Sequence, residues 1–179
     1  MHRNRYKILL SEAEIRSRVE ELARAINTDY SGEELLVVGI LKGAFIFMAD
    51  LVRELTIPIA VDFMDMSSYG ASTRSSGEVR ILKDLETPVE GKNIIVVEDI
   101  VDTGLTLSYI AELLRTRNPK SLRICALLDK PSRRKVDITP DYRGFTIPDY
   151  FVVGYGLDYN EEHRNYRDIC ILQPAQHED

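Results

Sequence analysis

The sequence predicts an α/β fold: a largely parallel, twisted sheet flanked by helices. Three observations carry that prediction. Apolar runs of strand length alternate along the chain with segments of helical periodicity. The run Leu35-Leu36-Val37-Val38-Gly39-Ile40 is continuous rather than alternating, the pattern of a strand covered on both faces. The length, 179 residues, is that of one domain and is enough to bury a real core. With no internal repeat and no linker, residues 1–179 read as a single unit.

The elements follow in order. Ser11-Glu12-Ala13-Glu14 has the form of a capping box, and Ile15, Val19, Leu22, Ala23 and Ile26 fall on one face behind it, which predicts a helix over 11–27. The strand at 35–40 leads through Lys42-Gly43 into a helix over 44–55. A second strand spans 57–66, with Pro58 near its start, where a missing donor is tolerated. Residues 67–77 (SSYGASTRSSG) are small and polar, and read as a surface loop suited to act as a flexible lid. Strands at 78–83, 93–101 and 122–128 and a helix at 103–116 continue the alternation. Residues 130–149 carry three prolines (131, 140 and 148) and read as an irregular excursion, after which 151–153 and 168–172 resume strand character. The two chain ends, about 1–10 and 150–179, are expected to form a small hood rather than a second domain.

Composition narrows the function. The 23 basic and 29 acidic side chains give a net charge of −6, which argues against general attraction to nucleic acid or anionic lipid, so an anionic ligand has to be caught locally. Cys125 and Cys170 lie in apolar runs without a C-x-x-C or Cys/His cluster and read as reduced core thiols. No apolar stretch reaches the ~18 residues of a membrane span, and the first residues lack the apolar core of a signal peptide; the expectation is a cytoplasmic protein. His2, His163 and His177 are too scattered for a metal site, and His163 is read as a surface residue.

The chemistry concentrates between Ile94 and Thr106. An apolar strand runs into the adjacent carboxylates Glu98 and Asp99, then into Asp102-Thr103-Gly104-Leu105-Thr106 at the start of a helix. Hydroxyls and open amides at a helix N-terminus suit a phosphate monoester. Carboxylates beside it would repel that phosphate unless sugar hydroxyls or a divalent cation such as Mg²⁺ stand opposite them. A ribose 5′-phosphate meets both requirements.

The run from Val96 to Thr106 resembles the phosphoribosyl pyrophosphate signature of the type I phosphoribosyltransferases. Leu41-Lys42-Gly43-Ala44, Ser68-Tyr69-Gly70, Leu128-Asp129-Lys130 and the run from Phe151 to Glu161 are similar, in order and spacing, to the hypoxanthine-guanine members of that family. The resemblance covers residues 8 to 172 and implies the type I phosphoribosyltransferase fold. It also implies purine salvage: transfer of phosphoribosyl from phosphoribosyl pyrophosphate to a 6-oxopurine base by a homodimer or homotetramer. By the same resemblance Glu98 and Asp99 face the ribose hydroxyls and hydrated Mg²⁺, Asp158 binds a metal ion directly beside the purine, and Thr103, Gly104, Leu105 and Thr106 hold the 5′-phosphate. Lys42 and Gly43, after an unusual cis peptide, hold pyrophosphate together with Ser68, Tyr69 and Arg164. Asp102 lies beside purine N7 as general base, Lys130 donates to the 6-oxygen, Phe151 stacks on the base, and Val152 contacts its edge through the backbone.

Each element alone has a plainer reading: Lys130 as a loop lysine, Phe151 as core, Glu161-Glu162 as a solvated charge pair. No G-x-x-x-x-G-K-[ST] is present, and Gly154-Tyr155-Gly156 lacks the third glycine of a dinucleotide fingerprint. An RNA-binding regulator of the same fold would want a basic face, which an acidic chain does not favour. The residues leave hypoxanthine, guanine and xanthine open as acceptors.

Overall fold

The computed structural model describes residues 6–68 and 79–173. Its first helix, α1 (Glu12–Asp29), starts at Ser11, whose side chain accepts from the Glu14 amide while the Glu14 carboxylate accepts from the Ser11 amide at 2.8 Å. Both partners of the box satisfy donors the helix leaves open. Ile15, Val19, Leu22, Ala23 and Ile26 are all buried, as their spacing requires.

Nine strands are described: β1 (Tyr6–Leu10), β2 (Leu35–Leu41), β3 (Ile59–Ser68), β4 (Val79–Lys83), β5 (Asn93–Val101), β6 (Ser121–Asp129), β7 (Tyr142–Thr146), β8 (Val152–Val153) and β9 (Ile169–Leu172). Helices α2 (Phe45–Glu54) and α3 (Leu105–Arg115) follow β2 and β5. The main sheet has the order β4-β3-β2-β5-β6-β7, and every neighbouring pair is parallel except β3 with β4. Successive residues of the central strands serve opposite faces. Leu35, Val37, Ile95 and Val97 pack with α1 and α2, whereas Leu36, Val38, Ile94 and Val96 pack with Leu107, Ile110 and Leu114 of α3. This two-sided burial is the physical reason for the unbroken apolar runs.

The irregular reading of 130–149 is corrected: Pro131–Arg133 form a short 3-10 turn and β7 extends the sheet alongside β6. At five residues, with Gly144 in its middle, β7 lacks an apolar run; a Cβ on Gly144 would lie 2.3 Å from the Leu127 carbonyl oxygen, so the glycine admits close strand packing. The hood is a separate sheet, β1-β9-β8, in which β1 and β8 each pair antiparallel with β9. Cys125 and Cys170 are buried and free.

His163 is not a surface residue. Its ring is 14% exposed, lies among Tyr6 and Tyr166, and its Nε2 is 3.0 Å from the Tyr6 hydroxyl, joining β1 to the segment that follows β8. No helix among the described residues is long and apolar enough to cross a membrane. Of the polar stretch expected to form a lid, Ser67 and Ser68 end β3; Tyr69 and Arg74 lie outside the described residues.

Candidate active site

The chain turns away from β2 in one direction to β3 and in the other to β5, so the sheet has a switch point between β2 and β5. A crevice beyond the carboxyl ends of the strands forms at such a point. Here it is a hollow of about 260 Å³ lined by Leu41 at the end of β2 and Gly43 after it, by Glu98 to Val101 at the end of β5 and Asp102 to Gly104 beyond it, and by Thr106. A larger hollow of about 530 Å³ lies at the opposite, amino end of the sheet, where Glu33 and Lys120 already pair with each other. Chemistry rather than size singles out the first.

Glu98 and Asp99 are partly buried side by side. Burial, and then the charge of Asp99, push the Glu98 carboxyl well above the usual carboxylate range; burial also raises Asp99, against opposing hydrogen bonds and the Arg164 charge. Two carboxylates in that condition call for positive charge or hydroxyl donors. Gly43 lies hard against them: a Cβ there would be 1.7 Å from Asp99 Oδ2. The Leu41–Lys42 peptide before it is cis, as the resemblance implies.

Beyond the carboxylates, Gly104 precedes α3 with φ of 81°, and no side chain caps the helix. A Cβ at Gly104 would be 2.6 Å from Ile138 Cγ2, so glycine is needed both for the left-handed turn and for the close approach. Of the first-turn amides, that of Leu105 donates to Thr103 Oγ1 at 3.4 Å, while Gly104, Thr106 and Leu107 line the hollow, so the helix start faces a space suited to a phosphate.

Lys130 follows β6 directly as a buried cation: its amide donates to Val101 O at 2.9 Å, and its ammonium is 3.5 Å from Asp149 Oδ1. Asp149 also pairs with Arg133, and Arg133 Nε donates to Asp102 Oδ1 at 2.9 Å. Arg134 holds the same turn from behind, donating to the carbonyls of Val101 and Asp102 while pairing with the buried Asp129. Phe151, two residues past Asp149, is 53% exposed, with Tyr159 edge-on at 5.6 Å; the ring is therefore not core. Val152 is buried in β8.

The third group lies after β8. Arg164 donates to Gly156 O at 2.8 Å and pairs with Asp158 at 3.3 Å and Glu161 at 3.4 Å, and the other oxygen of Glu161 takes Lys42 Nζ at 3.1 Å. A Cβ on Gly156 would be 2.3 Å from Gly43 O, so this segment packs directly on the loop after β2. Tyr155, Asn160, Glu161 and His163 all have left-handed φ, between 51° and 78°. Such residues persist only where their surroundings hold them, and they gather at functional sites.

The structure thus brings Lys42, Gly43, Glu98, Asp99, Asp102, Thr103, Gly104, Thr106, Asp158 and Arg164 around one crevice, with Lys130 and Phe151 beside it. Ser68 ends β3 at the same edge of the sheet, and Tyr69 is outside the described residues. Sequence reasoning missed Arg133, Arg134, Asp149 and Glu161, which pair with the expected residues. Glu161 is solvent-exposed, as read, but it also bridges Lys42 and Arg164, a pairing that no local pattern in the sequence signals.

The profile of the phosphoribosyl transferase domain matches residues 5–160. A hypoxanthine-guanine phosphoribosyltransferase of Bacillus subtilis is 55% identical over 172 residues, covering 96% of each chain. A hypoxanthine phosphoribosyltransferase of Salmonella typhimurium is 52% identical over 89% of this chain and 90% of its own. Among solved structures, a hypoxanthine-guanine phosphoribosyltransferase of Bacillus anthracis superposes with a TM-score of 0.91 at 47% identity, covering 94% of this chain and 99% of that one. A fold with a carboxylate-lined crevice at the sheet's switch point and matches of this extent define a phosphoribosyltransferase of type I. The chain belongs to that family, within its hypoxanthine-guanine branch, and is a purine-salvage enzyme.

Proposed function

We propose that the enzyme transfers 5-phosphoribosyl from phosphoribosyl pyrophosphate to hypoxanthine, guanine or both, releasing pyrophosphate and the nucleoside 5′-monophosphate. The observation that carries this reading is the crevice itself, where an uncapped helix start lies next to a crowded carboxylate pair and a buried ammonium. The amides after Thr103 take the 5′-phosphate, and Glu98 and Asp99 accept from the ribose hydroxyls. Purine N9 bonds to the anomeric carbon as the bond to pyrophosphate oxygen breaks. Lys42 and Arg164 stabilise the charge on the departing pyrophosphate, and Asp102 takes or shares the proton at purine N7.

Lys130 donates to the 6-oxygen and meets a 6-amino group donor to donor, which disfavours adenine. Phe151 offers its exposed face for stacking, and the backbone of Val152 meets the base edge. The donor set also fits Mg²⁺. Among the described residues no group of three or more His, Cys, Asp or Glu forms an all-protein metal cage. Mg²⁺ commonly binds through one or two carboxylates with water and substrate phosphates, for which Asp158, Glu98 and Asp99 supply hard oxygens. When bound, the ion would neutralise charge on the leaving pyrophosphate.

We further propose a cytoplasmic homodimer or homotetramer acting on small molecules, with neither nucleic acid nor membrane as partner. The net charge of −6 supports the last point. The test is one assay: hypoxanthine, guanine, xanthine and adenine, each with phosphoribosyl pyrophosphate, with and without Mg²⁺. Nucleotide from the first two only, and only with Mg²⁺, is the expected result. Turnover of adenine, or full activity in chelator, overturns the corresponding part.

A further inference from the structure

We propose that Glu161 is an internal substitute for pyrophosphate, a carboxylate that occupies the leaving-group cations when the site is empty and is displaced when pyrophosphate arrives. The inference rests on the assignment of Lys42 and Arg164 to pyrophosphate. Glu161 divides its two oxygens between those side chains, Oε2 to Lys42 Nζ at 3.1 Å and Oε1 to Arg164 Nη2 at 3.4 Å. Among the described residues, Glu161 is the only ion-pair partner of Lys42, and Arg164 has only Asp158 besides.

The side chain is not packed in place. Glu161 is 66% and Lys42 63% exposed, so this bridge lies in water, where an ion pair adds little and is readily exchanged. The backbone is held instead: the Glu161 amide donates to Asp158 Oδ2 at 2.9 Å, and the residue sits at φ of 64°. A fixed backbone carrying a loose carboxylate suits exchange. A phosphate group reaching the same two cations brings more negative charge than the carboxylate and repels it, so Glu161 and pyrophosphate compete. The carboxylate thereby weakens retention of pyrophosphate and assists its release.

A purely structural bridge would act in the opposite direction, since its loss would misplace Lys42 and Arg164 and weaken pyrophosphate binding. The experiment compares the parent enzyme, Glu161→Gln and Lys42→Gln in the reverse reaction of nucleotide with pyrophosphate, and in the forward reaction with hypoxanthine varied. Glu161→Gln is expected to lower KM for pyrophosphate roughly 5-fold, the scale of two exposed pairs removed, with KM for hypoxanthine unchanged. Lys42→Gln is expected to raise KM for pyrophosphate. If Lys42→Gln raises it while Glu161→Gln leaves it unchanged or raises it too, Glu161 is no competitor and the inference alone falls. If Lys42→Gln leaves it unchanged, the pyrophosphate assignment falls and takes the inference with it.

Discussion

Gly43→Ala tests the tightest contact in the site. The added Cβ would lie 1.7 Å from Asp99 Oδ2 and 2.6 Å from Asp99 Cγ, where real Cβ contacts stay beyond 3.0 Å; the gap must open by at least about 1.3 Å. The carboxylate or the loop after β2 must move by that amount, and both belong to the proposed site. A displacement of about 1 Å in a reacting constellation costs on the order of 10²-fold in rate. Stability should change far less. Overpacking costs about 1–3 kcal/mol in a rigid core, but Asp99 is only partly buried, and alanine recovers about 0.4–1 kcal/mol through the unfolded chain. The expected outcome is a kcat for nucleotide formation lowered about 10²-fold, with a Tm within roughly 4 °C of the parent. A kcat within 3-fold of the parent would refute the claim that Gly43 and Asp99 share one crowded site, and a melt lowered in proportion to the rate would reassign the contact to folding.

Asp102→Asn keeps an acceptor for Arg133 and should fold normally while losing about 10²-fold in kcat; undiminished turnover removes the general-base role. Lys130→Gln should narrow the discrimination between hypoxanthine and adenine, because an amide presents either a donor or an acceptor, and equal rejection of adenine would place selectivity in the backbone. Asp158→Ala should shift the Mg²⁺ activation curve of the initial rate to higher concentration; an unmoved curve denies it the role of ligand. Asp62 is buried and accepts from the amides of Phe63, Glu86 and Thr87 at 2.7 to 2.9 Å. Burial works to raise its carboxyl, yet these bonds together hold it below the usual 3.8, so its stabilisation is present above that pH and is lost as pH falls through the lower folded value. Asp62→Ala should cost about 2–4 kcal/mol in denaturant unfolding at neutral pH, with the difference shrinking below pH 3.8; a pH-independent difference would point to lost packing instead.

The buried parallel strands, the capping box of α1 and the phosphate loop before α3 were legible in the sequence because each rests on local chemistry: continuous apolar runs, a Ser/Glu pair three apart, a glycine between hydroxyls. β7 was not, because its five residues carry a glycine and an arginine and lie in a segment punctuated by proline. The side chains meeting around the crevice were legible only through their order along a family pattern, since nothing local says that Gly43 touches Asp99 or that Gly156 rests on Gly43. The pairings of Asp149 with Lys130 and Arg133, and of Arg134 with Asp129, were invisible for the same reason. Charged loop residues have no periodicity, and their partners are set by how strand ends converge.

The pairing of β1 with β9 sets Tyr6 opposite Leu172, nearly the full chain apart. Contacts of such separation are the slowest to form, because a long loop is closed before they reward it. The hood is only three short strands, yet Val152 of β8 and Ile169 of β9 are buried in one apolar core with α1, α2 and β2. That core is therefore closed only when β9 docks, and the segment bearing Asp158 and Arg164, which lies between β8 and β9, is held at both ends by the same event. The residues proposed for the leaving group are thereby tied to completion of the core rather than added to it afterwards.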